Sequence, residues 1–137
     1  MKKIYVDTDV IFDLLQERHP FHVDAHALFA HFENGSLRGF VSPLIFANLF
    51  YILRKDNGAK AAIESLLRLK MLVKVVTVGE RTIELALSSH FTDFEDAIQY
   101  FAALACGADC LITRNKKDYR NTEIPVFLPG ELLRIVV

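Results

Sequence analysis

The sequence has little of what disulfide scaffolds, flexible linkers or strongly charged surfaces require. Among 137 residues there are two cysteines, four prolines, six glycines and no tryptophan. Lys and Arg total 16 against 17 Asp and Glu, which gives a formal charge of -1. These scarcities argue against a disulfide framework, against a disordered chain, and against a protein held to nucleic acid by bulk positive charge. Any basic patch must be local.

The two cysteines and the short apolar runs indicate where the protein resides. Cys106 and Cys110 lie in apolar stretches with no second cysteine pair and no adjacent histidine, which favours reduced, buried thiols over a disulfide or a zinc site. The apolar segment after Met-Lys-Lys is too short for a signal peptide, and no apolar run approaches the ~18 residues of a membrane span. We expect a soluble cytoplasmic protein.

Apolar strands and helices alternate along the chain. With 52% apolar residues, the length fits a single domain spanning residues 1–137. The hydrophobic pattern predicts strands at 3–6, 39–42, 72–78, 110–113 and 124–128. It predicts helices at 10–15, 21–32, 44–55, 59–70, 80–89 and 92–107, with a short tail around 131–133. This alternation predicts an α/β fold, a three-layer α/β/α domain with a central parallel sheet.

Polar residues cluster where ligands bind in such sheets, just beyond the carboxyl ends of the strands. Candidates follow three strands and open one late helix: Asp7-Thr8-Asp9, Ser42, Thr113-Arg114-Asn115, and the acids Asp93, Glu95 and Asp96. Gathered carboxylates repel one another unless a divalent cation lies among them, and their oxygens suit Mg²⁺ or Mn²⁺. The pattern predicts a metal-dependent phosphodiester site.

Several of these acids have a structural alternative. Asp9 and Asp93 lie near helix starts, where an acid stabilises the helix dipole, and Thr92 with Glu95 has the spacing of a capping box. Asp96 lies beyond the capping positions at the border of an apolar helix face, so it requires a partner. Asp7 ends a buried strand, where an unpaired acid costs several kcal/mol by an order-of-magnitude estimate.

Taken together, the acids and their neighbours resemble a known family. The segments are Asp7-Thr8-Asp9-Val10-Ile11, Asp93-Phe94-Glu95-Asp96-Ala97-Ile98-Gln99, and Leu111-Ile112-Thr113-Arg114-Asn115-Lys116-Lys117-Asp118-Tyr119. In this order, over essentially the whole chain, they resemble the PIN domain family. That resemblance implies a Mg²⁺- or Mn²⁺-dependent ribonuclease, and many small bacterial members are the toxins of VapBC-type toxin–antitoxin pairs.

The resemblance also implies roles for particular residues. Asp7 matches the first family acid and Asp96 the third, whereas Asn48 and Asn115 occupy the positions of the second and fourth. The implied catalytic set is Asp7, Asp96 and Asn115, and the implied metal ligands are Asp7, Asp96 and Asp93. Asp9 and Asp118 could also substitute for the two family acids that are replaced by Asn48 and Asn115. Thr8, Asp9, Asn48 and Thr113 are implied to surround the metal-bound waters, and Arg114, Lys116 and Lys117 to contact RNA phosphates. We expect the carboxyl groups of Asp7 and Asp96 to lie within about 10 Å of each other, with Asp93, Asn115 and Asn48 bordering the same cleft.

Other interpretations remain open. An Asp-x-Asp after a first strand also opens haloacid-dehalogenase-type phosphatases, but there the late acids follow strands, whereas here they precede a helix. A receiver domain would need an acid after its middle strand, and Asp56 follows a helix. The stronger alternative is a catalytically silent PIN-like module that binds RNA or a partner protein, because two family acids are amides here.

Partner contacts form a last expectation. The first half of the chain concentrates aromatic side chains around two helices, namely Phe21, Phe29, Phe32, Phe40, Phe46, Phe50 and Tyr51. In the resembled toxins this region carries homodimer and antitoxin contacts, so we expect a homodimer and an antitoxin partner there. Core packing is an equally good explanation for Phe46 and Phe50.

Overall fold

A computed structural model describes residues 2–136 and contains one five-stranded sheet. Every neighbouring pair of strands is parallel, and the strand order is β3-β2-β1-β4-β5. The strands are β1 (Lys3–Val6), β2 (Arg38–Val41), β3 (Val73–Val75), β4 (Cys110–Ile112) and β5 (Val126–Phe127). Their positions confirm the five predicted strands and the parallel sheet. Helices between successive strands return the chain to the same end of the sheet, which favours parallel pairing.

Within residues 2–136, six helices connect and cover the strands. They are α1 (Thr8–Leu15), α2 (His22–Glu33), α3 (Pro43–Leu72), α4 (Glu80–Leu87), α5 (Phe94–Ala105) and α6 (Pro129–Val136), with a 3-10 turn at Lys116–Asp118. Side chains of α1, α2, α3 and α6 form the core on one face of the sheet, where Ile4 and Val6 point. Helix α5 packs on the other face against Tyr5 and Leu111. The predicted three-layer α/β/α fold is confirmed.

The structure differs from the prediction at several boundaries. The predicted helices 44–55 and 59–70 are both present, and they continue into each other as α3, which is interrupted only at Gly58 with φ +85°. That left-handed backbone conformation favours glycine, which explains the break. Strand β3 is shorter than the predicted residues 72–78: it spans Val73–Val75 at the edge of the sheet, beside β2. The tail predicted near residue 131 is part of the full helix α6.

The aromatic residues assigned to an interface are mostly inside the molecule, which corrects that expectation. Phe29, Phe32 and Phe40 are buried, and Phe46 and Phe50 pack against the core. The ring of Phe32 lies over Gly39 of β2, so closely that a Cβ there would come within 2.6 Å of it. Only Phe21 and Tyr51 of the seven are exposed, at 44% and 62%. The core is thus filled in part by two rings of α2, Phe29 and Phe32, and two rings of α3, Phe46 and Phe50.

The cysteines and the lengths of the apolar helices also bear on expectations from the sequence. Both cysteines are free thiols, Cys110 buried and Cys106 half-buried. Within residues 2–136 no helix combines the length and the apolar character needed to cross a membrane.

Candidate active site

Asp7 and Thr113 lie side by side because β1 and β4 are neighbours in the sheet. The Asp7 N–H donates to the carbonyl of Ile112 at 2.9 Å, which continues the pairing to the end of both strands. The Thr113 hydroxyl lies 3.0 Å from Asp7 Oδ2 and 3.2 Å from Asp9 Oδ2. Asp7 is only 8% exposed and Thr113 is fully buried. The predicted juxtaposition at the carboxyl ends of adjacent strands is confirmed.

Tyr119 joins the acids of β1 and α5. Its hydroxyl lies 3.0 Å from Asp7 Oδ2 and 3.5 Å from Asp96 Oδ1. Since one oxygen atom reaches both carboxylates, these lie well within the separation expected from the sequence. Tyr119 is itself 5% exposed. Tyr119 is part of the segment that resembles the family, but its role was not predicted from the sequence. The available indication was its position, because it is an aromatic residue with a hydroxyl group that directly follows the charged loop after β4.

Helix α5 starts differently from the prediction. Its N-cap is Asp93, whose Oδ1 accepts from the Asp96 N–H at 2.9 Å, so the predicted capping box of Thr92 and Glu95 is wrong. Glu95 instead accepts from Asn48 Nδ2 at 2.8 Å. A carboxylate is a strong N-cap, and here it displaces the threonine one residue earlier. Asn48 of α3 thus contacts the first turn of α5, as expected of a residue bordering the cleft.

The carboxylate of Asp9 accepts hydrogen bonds from the loop that follows β4. Its Oδ2 accepts from the Arg114 N–H at 3.1 Å and from Asn115 Nδ2 at 3.0 Å. Its other oxygen, Oδ1, is buried and has no hydrogen-bond partner among residues 2–136, and the same holds for the Thr8 hydroxyl. Buried polar atoms without partners are rare, so these two oxygens are unusual in having unused hydrogen-bonding capacity. Asn115 lies next to Asp9, as expected from the sequence.

The basic residues of this loop are not equally available. Arg114 forms a two-point ion pair with Asp13 of α1 at 2.6 and 3.2 Å, and its guanidinium lies 4.1 Å from the centre of the Phe21 ring. Lys116 pairs with Glu131 at 3.0 Å. Asp13 is 1% exposed, and sequence reasoning missed it because its partner is distant in the chain. Two of the three cations expected to contact RNA are therefore already paired with carboxylates.

Burial gives the acids a high affinity for protons. Burial and, next, the charge of Asp9 raise the pKa of Asp7 to about 7. Burial also raises the pKa of Asp9. The pKa of Asp96 is raised to about 7, first by burial and then by Asp93, Asp118 and Glu95. Burial, followed by the charges of Asp7 and Asp96, raises the pKa of Tyr119, so its hydroxyl keeps its proton and acts as a donor.

The side chains at this site offer oxygen atoms, the ligands that hard divalent cations prefer, but few of them are charged. Within residues 2–136, no three His, Cys, Asp or Glu side chains are arranged to hold a metal ion together. Asp93 caps α5. Asn48 and Asn115 lie where the resemblance noted above would place two further acids. The neighbouring carboxylates of Asp7 and Asp96 and the unpartnered oxygen of Asp9 nevertheless form an oxygen-rich site whose mutual repulsion a cation would relieve.

Sequence comparison identifies relatives over nearly the whole chain. The sequence model of the PIN domain matches residues 3–117. A curated relative is Ribonuclease VapC1 of Aquifex aeolicus (strain VF5), which is 26% identical over 138 residues, covering 95% of this chain and 92% of the relative.

Several solved structures share this fold. VapBC2 from Rickettsia felis, bound to a promoter DNA fragment, has a TM-score of 0.69 at 12% identity, covering 92% of this chain and 98% of that chain. A toxin–antitoxin complex from Klebsiella pneumoniae has a TM-score of 0.69 at 19% identity, covering 92% and 97%. VapC20 from Mycobacterium tuberculosis, a sarcin-ricin loop cleaving toxin, has a TM-score of 0.63 at 23% identity, covering 79% and 86%.

Proposed function

Because the chain belongs to the PIN domain family, we propose that it is an endoribonuclease that uses Mg²⁺ or Mn²⁺ to hydrolyse phosphodiester bonds of RNA. The supporting observation is the contact of Tyr119 with both Asp7 and Asp96, which holds a buried and a half-buried carboxylate next to each other at the end of the sheet. The relative named as a ribonuclease supports the reaction class.

Each nearby side chain has a part in the proposed reaction. The carboxylates of Asp7 and Asp96 would hold the cation, with Asp9 Oδ1 and the capping carboxylate of Asp93 adding negative charge beside it. When bound, the cation lowers the pKa of water and offsets charge on the phosphate. Thr113 and Tyr119 fix the orientation of Asp7 by hydrogen bonds, and Thr8, Asn48 and Asn115 offer neutral oxygens to surrounding water.

A cleavage assay tests the proposal. We expect single-stranded RNA to be cut in Mg²⁺ or Mn²⁺ and to survive in EDTA. Asp7→Asn and Asp96→Asn should each lower the rate by at least about a hundredfold, because each removes a charged ligand. Asp56→Asn, an equal charge change at an exposed position of α3, should leave the rate unchanged. Equal rates in all four proteins would contradict the assignment.

The alternative function is a catalytically silent PIN-like module that binds RNA or a partner protein. The amides Asn48 and Asn115 at the family's acidic positions favour it, since each removes a charge that would hold the cation. Metal titration by calorimetry separates the two functions when run beside the cleavage assay. RNA or metal binding without any turnover would select the silent module.

We also propose that the protein pairs with an antitoxin and forms a homodimer in solution. The first proposal follows the relatives that were solved as toxin–antitoxin complexes. The second keeps the exposed rings of Phe21 and Tyr51 as contact residues, in place of the larger aromatic set. Light scattering at micromolar concentration should report a dimer, and a monomer would remove the homodimer without affecting the active-site assignment.

A further inference from the structure

A cleft of about 410 Å³ opens beside the proposed active site, between the connection from α4 to α5 and the 3-10 turn after β4. It is lined by His90, Phe91, Thr92, Lys117, Asp118 and Arg120. Lys117 and Asp118 were already candidates from the sequence, for an RNA contact and for a substitute acid, whereas His90, Phe91 and Arg120 had no assigned role. Their combination of two aromatic rings with two cations is the chemistry that proteins use to bind single-stranded nucleic acid.

The cleft adjoins the acidic site through two packed rings. The ring of Phe91 packs on the ring of Tyr119 at 5.9 Å, and Tyr119 contacts both Asp7 and Asp96. Tyr119 therefore links the two sites, which places the cleft next to the acids.

The cations of the cleft are free to bind an anion. Within residues 2–136, neither Lys117 nor Arg120 forms an ion pair, in contrast to Arg114 and Lys116. Arg120 Nε donates to the carbonyl of Lys117 at 3.2 Å, which fixes the guanidinium and leaves its two terminal nitrogens available. Such a fork binds a phosphate through two parallel hydrogen bonds. The residues that line the cleft therefore carry two positive charges and one negative charge, that of Asp118.

The rings of the cleft form a platform for a base. His90 stacks on Phe91 with the ring centres 4.7 Å apart and the planes at 29°. His90 Nε2 lies 2.9 Å from the carbonyl of Arg120, and because a carbonyl oxygen only accepts, this nitrogen donates. Phe91 is braced from behind by Tyr100 at 5.3 Å. The exposed His90 ring is thus held in place by a hydrogen bond and a stacked neighbour.

We propose that this cleft binds a nucleotide of single-stranded RNA next to the bond that is cut, with the base stacked on His90 and the phosphate bound by Lys117 and Arg120. The position relative to the cut rests on the proposed function, whereas the binding does not. Single strands are required because the bases of a duplex are already stacked on one another and cannot reach the platform.

The charge part is tested by binding a fluorescein-labelled, mixed-sequence RNA of about twelve nucleotides in EDTA, which prevents metal-dependent cleavage. Lys117→Gln with Arg120→Gln should weaken binding by about tenfold and make the slope of log K against log salt shallower by about 1.4, since each lost phosphate contact on a single strand contributes about 0.7. Lys60→Gln with Arg68→Gln, at exposed positions of α3, makes the same charge change outside the cleft and should leave the affinity within about twofold of wild type.

The stacking part is tested with 2-aminopurine placed in the same RNA, because its fluorescence is quenched when the base stacks on a ring. His90→Ala should abolish the additional quenching on binding and weaken affinity by about tenfold. His90→Tyr should keep both, since it retains a ring. His26→Ala, an exposed histidine on α2, is the matched control.

The outcomes separate the cleft from the catalytic assignment. Binding that depends on the cleft in EDTA, without cleavage in Mg²⁺ or Mn²⁺, supports the cleft and removes only the proposed function. Cleavage by a protein whose cleft variants bind RNA as tightly as the controls overturns the cleft alone. The same RNA annealed to its complement is the duplex control, and equal affinity for this duplex and for the single strand also overturns the proposal. So does a wild-type protein that binds no RNA at low salt.

Discussion

The carboxyl group of Asp7 is buried at the end of β1, and burial together with the charge of Asp9 raises its pKa from 3.8 to about 7. Between these two values the unfolded chain releases a proton that the folded protein keeps. The free energy of unfolding therefore falls as the pH rises through this window, and it is lowest above about pH 7. Asp96 acts in the same direction, since its pKa is also raised to about 7.

We therefore predict that the metal-free protein is less stable at about pH 8 than at about pH 5.5, and that Asp7→Asn raises its free energy of unfolding at the higher pH by about 2 kcal/mol. At about pH 4 the variant should gain little, because the folded wild type then keeps its proton. Urea denaturation in EDTA across this range measures the effect, with Asp56→Asn as the control. A stability difference between Asp7→Asn and wild type that does not change with pH would contradict the prediction.

Asn115 provides a second prediction at single-residue scale. Its Nδ2 donates to Asp9 Oδ2 at 3.0 Å, so Asn115→Asp replaces a hydrogen bond by repulsion between two carboxylates. We predict a lower melting temperature in EDTA and a roughly tenfold higher affinity for Mn²⁺, since a charged ligand is added. Asn48→Glu should also lower the melting temperature and raise the Mn²⁺ affinity, because it replaces the hydrogen bond from Asn48 to Glu95 by repulsion between two carboxylates. Calorimetry that shows unchanged Mn²⁺ affinity in both variants would mean that neither side chain faces the cation.

Helix α5 carries Asp96 to the site, and the cap at its start sets where it begins. Because Asp93 rather than Thr92 accepts from the helix, Asp93→Ala should lower the free energy of unfolding by about 1 kcal/mol, whereas Thr92→Ala should change it by less than about 0.3 kcal/mol. Asp93→Asn, which can still cap, is the conservative control. Urea denaturation in EDTA measures all three. A larger loss for Thr92→Ala than for Asp93→Ala would restore the capping box.

The same elements show which features a sequence can predict. Strand β1 and the acid that follows it were predictable because a short apolar run ending in Asp is a local pattern. Thr113 followed from the rule that ligands gather at strand ends. The contacts of Tyr119 with Asp7 and of Arg114 with Asp13 join residues 112 and 101 positions apart, so no local pattern contains them. Without them, the sequence predicted free cations where the structure has ion pairs.

At the scale of the whole molecule, strand order determines which side chains meet. Strand β1 is the middle strand, flanked by β2 and β4, so Asp7 lies at the centre of the carboxyl edge of the sheet. Below it, the hydroxyl of Tyr5 hydrogen-bonds to Gln99 of α5, which attaches that helix to β1 one turn beyond Asp96. A buried acid of the sheet and a half-buried acid of α5 are therefore held together by the fold, although their charges repel each other.

A divalent cation should consequently stabilise the entire domain. At about a hundredfold excess over its dissociation constant, a ligand that binds only the folded state adds about 2.7 kcal/mol, which for a domain of this size raises the melting temperature by about 10 °C. We predict such a rise with Mn²⁺ at about pH 8 and a smaller one at about pH 5.5, where protons on Asp7 and Asp96 compete with the cation. Thermal melts at matched ionic strength measure it, with Lys60→Gln as the control that should keep the full shift. Asp7→Asn should lose most of the shift at both pH values, and a shift that is equal at both, or retained in Asp7→Asn, would place the cation elsewhere on the protein.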